Sequence, residues 1–312
     1  IMTKNRNIDF RDNQHPYAPD IDDYYFSTDD GAKESEYVFL RHNDLHNRMR
    51  HSQSLCIAEL GFGLGLNFCV TLDQWQRSAP AGAILDYIGI EQAPPQADHI
   101  QRALARWSEF SPIAEMLAQD YPPPIPGVHR FFYPQWRVRL TLYIHTATDA
   151  LAQMTSSVDA WYLDGFAPAK NPAMWQPEIF NAMQAHSHED TTFSTYTAAG
   201  VVARGLASAG FEVKKTKGFG RKRHMLHGKL DTLTKPQNTP AWFALPESPR
   251  PSRVAIIGGS LAGMSCAHAL SSRGISCQIF EASPQATIQQ QGAPAALLKP
   301  HPTATPSRRD DY

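Results

Sequence analysis

A single carboxylate, Asp164, stands at the point where an apolar run of the chain ends abruptly. Residues 159–163 are predicted to form a buried strand, and Pro168 and Pro172 exclude both a longer strand and an ordinary helix after it. In open α/β sheets, ligands bind beside the carboxyl ends of the strands. Asp164 is therefore a candidate catalytic residue. Considered alone, the stretch is equally typical of a structural turn capped by an Asp.

A glycine-rich run at residues 61–65 follows an apolar strand and precedes a helical pattern. Glycines let the backbone turn tightly towards a ligand, which the helix N-terminus then faces. The spacing is E-x-G-x-G-x-G, unlike the G-x-G-x-x-G of a pyrophosphate site, and favours S-adenosylmethionine, whose cationic amino-acid end suits a nearby carboxylate. The alternative is a tight strand–helix turn without a ligand. The candidate cofactor residues are Glu59, Gly61, Phe62, Gly63, Gly65 and Asp164.

The next predicted strand, residues 86–91, ends on an acid, Glu91. An acid at the end of the second strand of a βαβ unit can accept hydrogen bonds from ribose hydroxyls. Glu91 is therefore the candidate ribose ligand. Its distance from Gly65 exceeds the usual spacing of about twenty residues, so the intervening helix and loop must be extended.

Six basic residues and no acid lie within residues 214–223, around a predicted flexible tip with Phe219 at its centre. This composition suits contacts with nucleic-acid phosphates. The alternative is a solvated strand edge that is kept basic to prevent aggregation. The basic residues are Lys214, Lys215, Lys217, Arg221, Lys222 and Arg223.

The remaining pattern supplies the elements that position these groups. Residues 22–27 and 36–40 are predicted to form a β-hairpin around an Asp-Asp-Gly turn. Strands are further expected at 140–144 and 191–196, with helices over much of 93–119 and over 198–209. A terminal strand pair is expected at 211–215 and 223–227. Alternating strands and helices followed by this pair predict a doubly wound α/β sheet over residues 1–230, of the Rossmann-like methyltransferase kind.

The bulk composition limits the function classes. The chain has 312 residues, a formal net charge of −1 and 42% hydrophobic residues, so it can form a packed core and would need a local patch to bind nucleic acid. The four cysteines are widely separated, which argues against a zinc site and a disulfide framework and indicates a cytoplasmic location. No apolar run reaches the roughly 18 residues of a membrane span, and no metal site is expected.

A second nucleotide-binding pattern begins at residue 253, after a Pro-rich linker over residues 231–252. A strand, a glycine turn and a helix are followed by a strand that ends on Glu281. Gly258, Gly263 and Glu281 are the candidate dinucleotide residues, and Ser260 stands where a glycine would let a pyrophosphate approach. Residues 253–312 amount to about one βαβ unit, which predicts only the N-terminal fragment of a flavin-dependent domain.

Three motifs occur in an order that resembles the MnmC family of bifunctional tRNA-modification enzymes. They are the Gly-Phe-Gly-x-Gly-Leu-Asn-Phe run at 61–68, the Leu-Asp-Gly-Phe-Ala-Pro-Ala-Lys-Asn-Pro run at 163–172, and Gly-Phe-Gly-Arg-Lys-Arg at 218–223. The resemblance covers most of residues 8–290. It implies a methyltransferase domain that uses S-adenosylmethionine to methylate 5-aminomethyluridine at the tRNA wobble position, and an FAD domain that first removes a carboxymethyl group.

The resemblance also implies roles for individual residues. Asp164 would orient the substrate amine and accept its proton, while Phe166 would form a wall along the methyl path. Two departures from the family pattern are Thr146, where its third-strand loop usually has Asp, and Ser260. The residues expected to contact the tRNA substrate are Phe166, Lys170, Lys217, Arg221, Lys222 and Arg223.

Three other functions compete with a tRNA methyltransferase. A small-molecule amine methyltransferase would keep Asp164 and the glycine run but has no use for the basic segment. A flavin- or nicotinamide-dependent oxidoreductase would be built on residues 253–281. A non-catalytic tRNA-binding module would have no affinity for S-adenosylmethionine.

Overall fold

The computed structural model describes residues 5–12, 14–231, 251, 253–273 and 275–282. The chain divides into two compact units, residues 1–243 and 244–312. The predicted linker lies outside the described residues except for Asp231 and Pro251, and so do residues 283–312 of the predicted second domain. None of the described helices is long and apolar enough to cross a membrane.

The first unit opens with a small three-stranded sheet that the sequence did not predict. Short helices follow it, one of them a π-helix over Glu36–Arg41. The elements are β1 (Asp9–Arg11), β2 (His15–Ala18), β3 (Asp23–Tyr24), α1 (Gly31–Ser35) and α2 (Leu45–His51).

The β-hairpin predicted from residues 22–27 and 36–40 is wrong, because its second arm is helical. The side chain of Asp30 accepts a hydrogen bond from the backbone N–H of Lys33 at 3.2 Å, so the Asp-Asp-Gly sequence starts a helix. Val38, Phe39 and Leu40 are all buried. A strand with one buried face would bury alternate residues, whereas a helix packed on the core can bury three in succession.

An eight-stranded sheet forms the core of the first unit. Its strands are β4 (Ser54–Leu60), β5 (Ile84–Glu91), β6 (Gly127–Tyr133), β7 (Val138–Ile144), β8 (Val158–Leu163), β9 (Ser187–Thr195), β10 (Phe211–Thr216) and β11 (Met225–Leu230). Their order is β10-β11-β9-β8-β4-β5-β7-β6. The strands from β9 to β7 are parallel, and β6 and the β10–β11 pair are antiparallel at the edges. This confirms the predicted doubly wound sheet.

Helices cover both faces of this sheet. Residues of the π-helix, α3 (Leu66–Ser78), α4 (Ala97–Leu104) and α5 (Ser111–Asp120) belong to one core cluster. Residues of α6 (Ala147–Gln153), α7 (Pro177–Ala185) and α8 (Gly200–Ser208) belong to the other. Because both faces are covered, the central strands are buried on both sides, as their continuous apolar runs predict.

The edge strand β6 is a second element that the sequence did not predict. It pairs antiparallel with β7 along its whole length, from Gly127 opposite Ile144 to Tyr133 opposite Val138. Most of its residues are only partly buried, so it lacks the buried apolar run that made the central strands recognisable.

The second unit contains one parallel βαβ arrangement among its described residues. It consists of β12 (Arg253–Ile257), α9 (Leu261–Ser272) and β13 (Ser276–Phe280). Residue Arg253 lies opposite Ser276 and Ile257 opposite Phe280. The predicted strand–helix–strand pattern over these residues is confirmed.

Candidate active site

A cavity of about 380 Å³ lies at the carboxyl ends of the central strands β4, β5 and β8. Because these strands are parallel neighbours, their ends bring Gly61, Glu91 and Asp164 to the same edge of the sheet. The predicted site residues that line the cavity are Gly61, Phe62, Gly63, Glu91, Asp164, Phe166, Arg221 and Lys222.

The glycine turn after β4 is pressed against the end of β8. Gly61 has φ of +90°, which favours glycine, and a Cβ at this position would lie 2.7 Å from the backbone oxygen of Asp164. The backbone N–H groups of Gly61 and Phe62 both donate to the Ile90 carbonyl at 3.0 Å. The turn therefore ties the ends of all three strands together and leaves room only for a residue without a side chain.

Glu91 is held in the cavity wall by backbone donors. Its carboxylate accepts hydrogen bonds from the N–H of Gly63 at 3.0 Å and from that of Ala93 at 2.8 Å. Burial raises its pKa above the usual carboxyl value, and these backbone bonds and the charge of Arg6 oppose the shift. The fixed, partly exposed carboxylate fits its predicted part as a ribose ligand, which stays a prediction.

Asn67, in the first turn of α3, joins two carboxylates. Its side-chain Nδ2 donates to Glu59 Oε1 and to Asp164 Oδ2, each at 2.6 Å. Asn67 is buried and lines the cavity. The sequence prediction did not include it as a site residue, although it lies in the glycine motif, two positions after Gly65. Its contact with both carboxylates is visible only in the folded structure, where β4, α3 and β8 lie side by side.

Glu59 lies one layer behind the cavity wall. It is 1% exposed and does not line the cavity. Its second oxygen accepts a hydrogen bond from the Tyr87 hydroxyl at 2.7 Å. Burial, and then the charge of Asp164, hold the pKa of Glu59 well above its usual value. Both Glu59 oxygens are thus engaged, and its predicted direct contact with the cofactor stays a prediction.

Asp164 combines partial exposure to the cavity with a shifted pKa. Burial raises the pKa of Asp164 to about 7, the hydrogen bond from Asn67 opposes this shift, and the nearby charges of Glu34 and Lys222 have smaller, opposite effects. A carboxyl group whose pKa lies near neutral can exchange a proton with a substrate at physiological pH. Such shifts are common at catalytic positions.

Aromatic rings form the outer wall of the cavity. Phe166 packs edge-on against Tyr25 with ring centroids 5.2 Å apart, and the guanidinium of Arg6 lies 5.7 Å from the Phe166 ring. The Tyr196 hydroxyl donates to the Gly165 carbonyl at 2.8 Å. With Asp164, Glu91 and Glu34 also lining it, the cavity suits a ligand that carries a cation beside a ribose, as S-adenosylmethionine does.

The basic residues predicted to contact tRNA differ in their positions. Arg221 and Lys222 line the cavity, whereas Lys217 and Arg223 are exposed outside it. Lys170 donates to the Asp22 carbonyl and lies 3.5 Å from the Asp22 carboxylate, so its charge is partly neutralised. Their contacts with tRNA stay predictions.

Phe219, predicted as a flexible aromatic tip, is instead half-buried and packs on Tyr37 with ring centroids 6.0 Å apart. Thr146, which departs from the family pattern, caps α6 by accepting a hydrogen bond from the Asp149 N–H at 3.1 Å. The neighbouring His145 and Ala147 line the cavity.

The second unit repeats the glycine-turn geometry. Gly258 has φ of +98°, and its N–H donates to the Phe280 carbonyl at 2.8 Å. Glu281 accepts a hydrogen bond from the Gly259 N–H at 2.7 Å. Gly263 packs so closely on the Gly258 carbonyl that a Cβ would overlap it. Ser260 is the residue before α9 and makes no side-chain capping bond.

Two families match separate parts of the chain. Residues 108–231 match a family described as S-adenosyl-L-methionine-dependent methyltransferase. Residues 256–289 match the NAD(P)-binding Rossmann-like domain. The first unit therefore has the methyltransferase fold, and the second begins as a Rossmann-like nucleotide-binding unit. No group of three or more potential metal ligands occurs among the described residues.

Curated relatives extend the similarity over almost the whole chain. A protein of Methylobacillus flagellatus named tRNA 5-methylaminomethyl-2-thiouridine biosynthesis bifunctional protein MnmC is 41% identical over 91% of this chain and 43% of its own length. Its namesake from Chromobacterium violaceum is 42% identical over 94% of this chain and 46% of its own length. The chain thus spans less than half the length of these relatives.

A solved structure shows the same fold. The crystal structure of MNMC2 from Aquifex aeolicus superimposes with a TM-score of 0.60 at 21% sequence identity. The match covers 75% of this chain and 73% of that one.

Proposed function

The chain belongs to the family of the MnmC proteins, and we propose that it methylates the primary amine of 5-aminomethyl-(2-thio)uridine at the tRNA wobble position. The methyl donor is S-adenosylmethionine, and the product is 5-methylaminomethyl-(2-thio)uridine. The observation that carries the proposal is Asp164, a carboxyl group with a pKa of about 7 at the edge of a methyltransferase-type cavity.

Asp164 acts on the substrate nitrogen. An alkylamine is mostly protonated at neutral pH, and an ammonium has no lone pair with which to attack a methyl group. Deprotonated Asp164 takes one proton from the ammonium and orients the resulting neutral amine. The nitrogen lone pair then attacks the methyl group as the sulfur–carbon bond breaks, which leaves S-adenosylhomocysteine and a secondary ammonium. Positioning of the two reactants contributes most of the rate gain, and proton transfer contributes about 10²- to 10⁴-fold.

The glycine turn and Glu91 hold the methyl donor. S-adenosylmethionine supplies an electrophilic methyl group on a sulfonium. Glu91 accepts from the ribose hydroxyls, and Gly61 and Gly63 allow the backbone to approach the ligand closely. Because Asn67 connects Glu59 with Asp164, we propose that Glu59 acts on the site through Asn67, in place of the direct contact expected from its sequence position.

The basic segment provides the contact with tRNA. Arg221 and Lys222 lie at the cavity and Lys217 and Arg223 are exposed nearby, which suits phosphates that flank an inserted nucleotide. Phe166 forms a wall along the path between donor and acceptor, and Lys170 is a further phosphate contact.

The four cysteines are free thiols, and a cytoplasmic location stays a prediction.

For the second unit we propose a partial FAD site formed by Gly258, Gly263 and Glu281. The turn at Gly258 and the carboxylate at the end of β13 fit a bound nucleotide, although Ser260 narrows the approach of a pyrophosphate. In a longer chain of the family this unit would belong to the oxidoreductase that removes the carboxymethyl group. The described residues supply only its nucleotide-binding start.

A methyl-transfer assay tests the proposal. The protein is incubated with methyl-labelled S-adenosylmethionine and tRNA whose wobble uridine carries the free aminomethyl group. We expect label in the wobble nucleoside, and none with tRNA that is already methylated there. No label in spite of measurable S-adenosylmethionine binding would contradict the tRNA assignment and favour a small-molecule amine acceptor.

A further inference from the structure

Lys222 places its own ammonium group beside the proposed catalytic centre. Its Nζ donates a hydrogen bond to Glu34 Oε1 at 2.7 Å and lies 4.3 Å from the centroid of the Tyr196 ring. Glu34, Tyr196 and Lys222 all line the cavity that contains Asp164. An ammonium is thus held by a carboxylate and an aromatic face within the site.

Glu34 is more enclosed than its lysine partner. The side chain of Glu34, on α1, is 12% exposed, whereas that of Lys222 is 41% exposed. A carboxylate removed from water is strongly destabilised unless a cation or hydrogen-bond donors satisfy it. Glu34 is therefore stabilised by a cation or hydrogen-bond donors in the cavity, and a partner other than Lys222 could fill this place.

The proposed substrate carries the same chemical group as a lysine side chain, a primary ammonium on a methylene. We infer that Glu34 and Tyr196 form the binding subsite for this substrate ammonium, and that Lys222 fills the subsite until tRNA docks. The inference rests on the proposed function, because it takes the substrate to be an aminomethyl nucleotide. It assigns Glu34 as a residue that determines specificity for a nucleobase with a cationic aminomethyl substituent.

The exchange of the two ammonium groups conserves charge. Lys222 belongs to the basic segment at residues 214–223, and its partly exposed ammonium can move to a tRNA phosphate. The substrate ammonium then replaces it beside Glu34. The charges of Glu34 and Lys222 both affect the pKa of Asp164, after burial and the Asn67 hydrogen bond, so the substrate ammonium would arrive next to the group that takes its proton.

The test compares the affinities of the protein for two tRNAs without S-adenosylmethionine. One tRNA has the aminomethyl group at its wobble uridine, and the other has unmodified uridine there. We expect the wild type to prefer the first by about tenfold or more, the usual effect of a charge-assisted hydrogen bond. Glu34→Gln should reduce this preference below about twofold while keeping the affinity for the unmodified tRNA.

The affinity for unmodified tRNA also shows whether Glu34→Gln is folded. Glu36→Gln is a matched control, because Glu36 is exposed and lies outside the cavity, and it should keep the preference. An undiminished preference in Glu34→Gln would overturn the inference.

Lys222→Met tests the exchange itself. It should weaken the binding of both tRNAs by removing a phosphate contact, yet increase the preference for the aminomethyl form, because the competing ammonium is gone. Lys33→Met removes an exposed ammonium from α1 outside the cavity and should leave the preference unchanged. An equal loss of affinity for both tRNAs in Lys222→Met would overturn the occupancy of the subsite by Lys222.

The failure of this inference can be separated from that of the proposed function. If the wild type transfers label to the aminomethyl tRNA but Glu34→Gln keeps the preference, only the ammonium subsite is wrong. If the wild type transfers no label and shows no preference between the tRNAs, the proposed substrate is wrong, and the subsite with it.

Discussion

The chain contains two βαβ units with nearly the same turn and very different surroundings. In β4-α3-β5 and in β12-α9-β13, a glycine with φ near +90° follows the first strand. In each, a carboxylate at the end of the second strand accepts a hydrogen bond from a glycine-loop N–H, Glu91 from Gly63 and Glu281 from Gly259. The strand–turn–helix unit thus has the same glycine turn and the same carboxylate contact in both places.

The difference lies in the neighbouring elements. In β4-α3-β5, Leu60 precedes the turn and Ile90 precedes the acid, and each is 2% exposed. The corresponding residues of β12-α9-β13, Ile257 and Phe280, are 92% and 50% exposed. In the first unit β8 lies beside β4 and brings Asp164 to the turn. Under the proposed function, the βαβ unit would hold the nucleotide, while an adjacent strand would supply the proposed catalytic group.

Asp164→Asn removes the proposed catalytic group and should have the largest effect. We expect kcat to fall by about 10²- to 10⁴-fold, because the amide cannot take a proton from the amine. Calorimetry should show that S-adenosylmethionine still binds, with a loss of affinity much smaller than the fall in kcat. Asp190→Asn, an exposed change on β9 outside the cavity, is the control. Turnover of Asp164→Asn near the wild-type rate with saturating tRNA would show that Asp164 is not the base.

Gly61→Ala tests how closely the first turn depends on its neighbours. The new Cβ would have a strained φ, at a cost of about 1–3 kcal/mol, and would also lie 2.7 Å from the Asp164 carbonyl oxygen. Gly258→Ala has the same strain, but its Cβ meets no atom within 4 Å.

We expect Gly61→Ala to lower the affinity for S-adenosylmethionine by about tenfold or more, since a clash is added to the strain. Thermal unfolding should reveal a loss of stability in the same variant. Gly258→Ala should keep the affinity, and an equal loss in the two variants would break the contrast between the turns.

Asn67→Leu removes the bridge between Glu59 and Asp164. Glu59 and Asp164 would then face each other without the shared donor, and we expect kcat to fall by about tenfold. Because the Asn67 bond opposes the rise in the Asp164 pKa, its loss should move the pH dependence of kcat to higher pH. Gln74→Leu, on the same helix outside the cavity, is the control. An unchanged pH profile in Asn67→Leu would exclude this coupling.

The smallest expected effect concerns stability. The folded-state pKa of Asp164 is about 7, above its usual value of about 4. The protonated group therefore favours folding at low pH, and this contribution is lost as the pH rises through 7. Relative to wild type, Asp164→Asn should be more stable at pH 8 than at pH 5 in thermal unfolding. A difference independent of pH would contradict the raised pKa.

The parts that could be predicted from the sequence are those defined by local pattern. The fold class, the ligand-binding edge of the sheet and the position of Asp164 could be predicted from two patterns. These are the apolar runs of β4, β5 and β8 and the glycines after β4. Asp30 was misread because Asp-Asp-Gly suits both a hairpin turn and a helix start, and only the burial of residues 38–40 separates the two.

Contacts between distant segments could not be predicted in this way. Asn67 meets Asp164 across 97 positions of the chain and Lys222 meets Glu34 across 188. A sequence pattern also shows that Glu59 precedes a glycine turn, but not that Tyr87 and Asn67 engage both of its oxygens.

The pH dependence of single-turnover methyl transfer tests most directly whether Asp164 is the base. The measurement uses aminomethyl tRNA and S-adenosylmethionine, both saturating, from pH 5.5 to 9. We predict that the rate rises with an apparent pKa of about 7 and that this limb disappears in Asp164→Asn. A single limb near 10, the value of a free alkylamine, in both proteins would contradict a role for Asp164 in proton transfer.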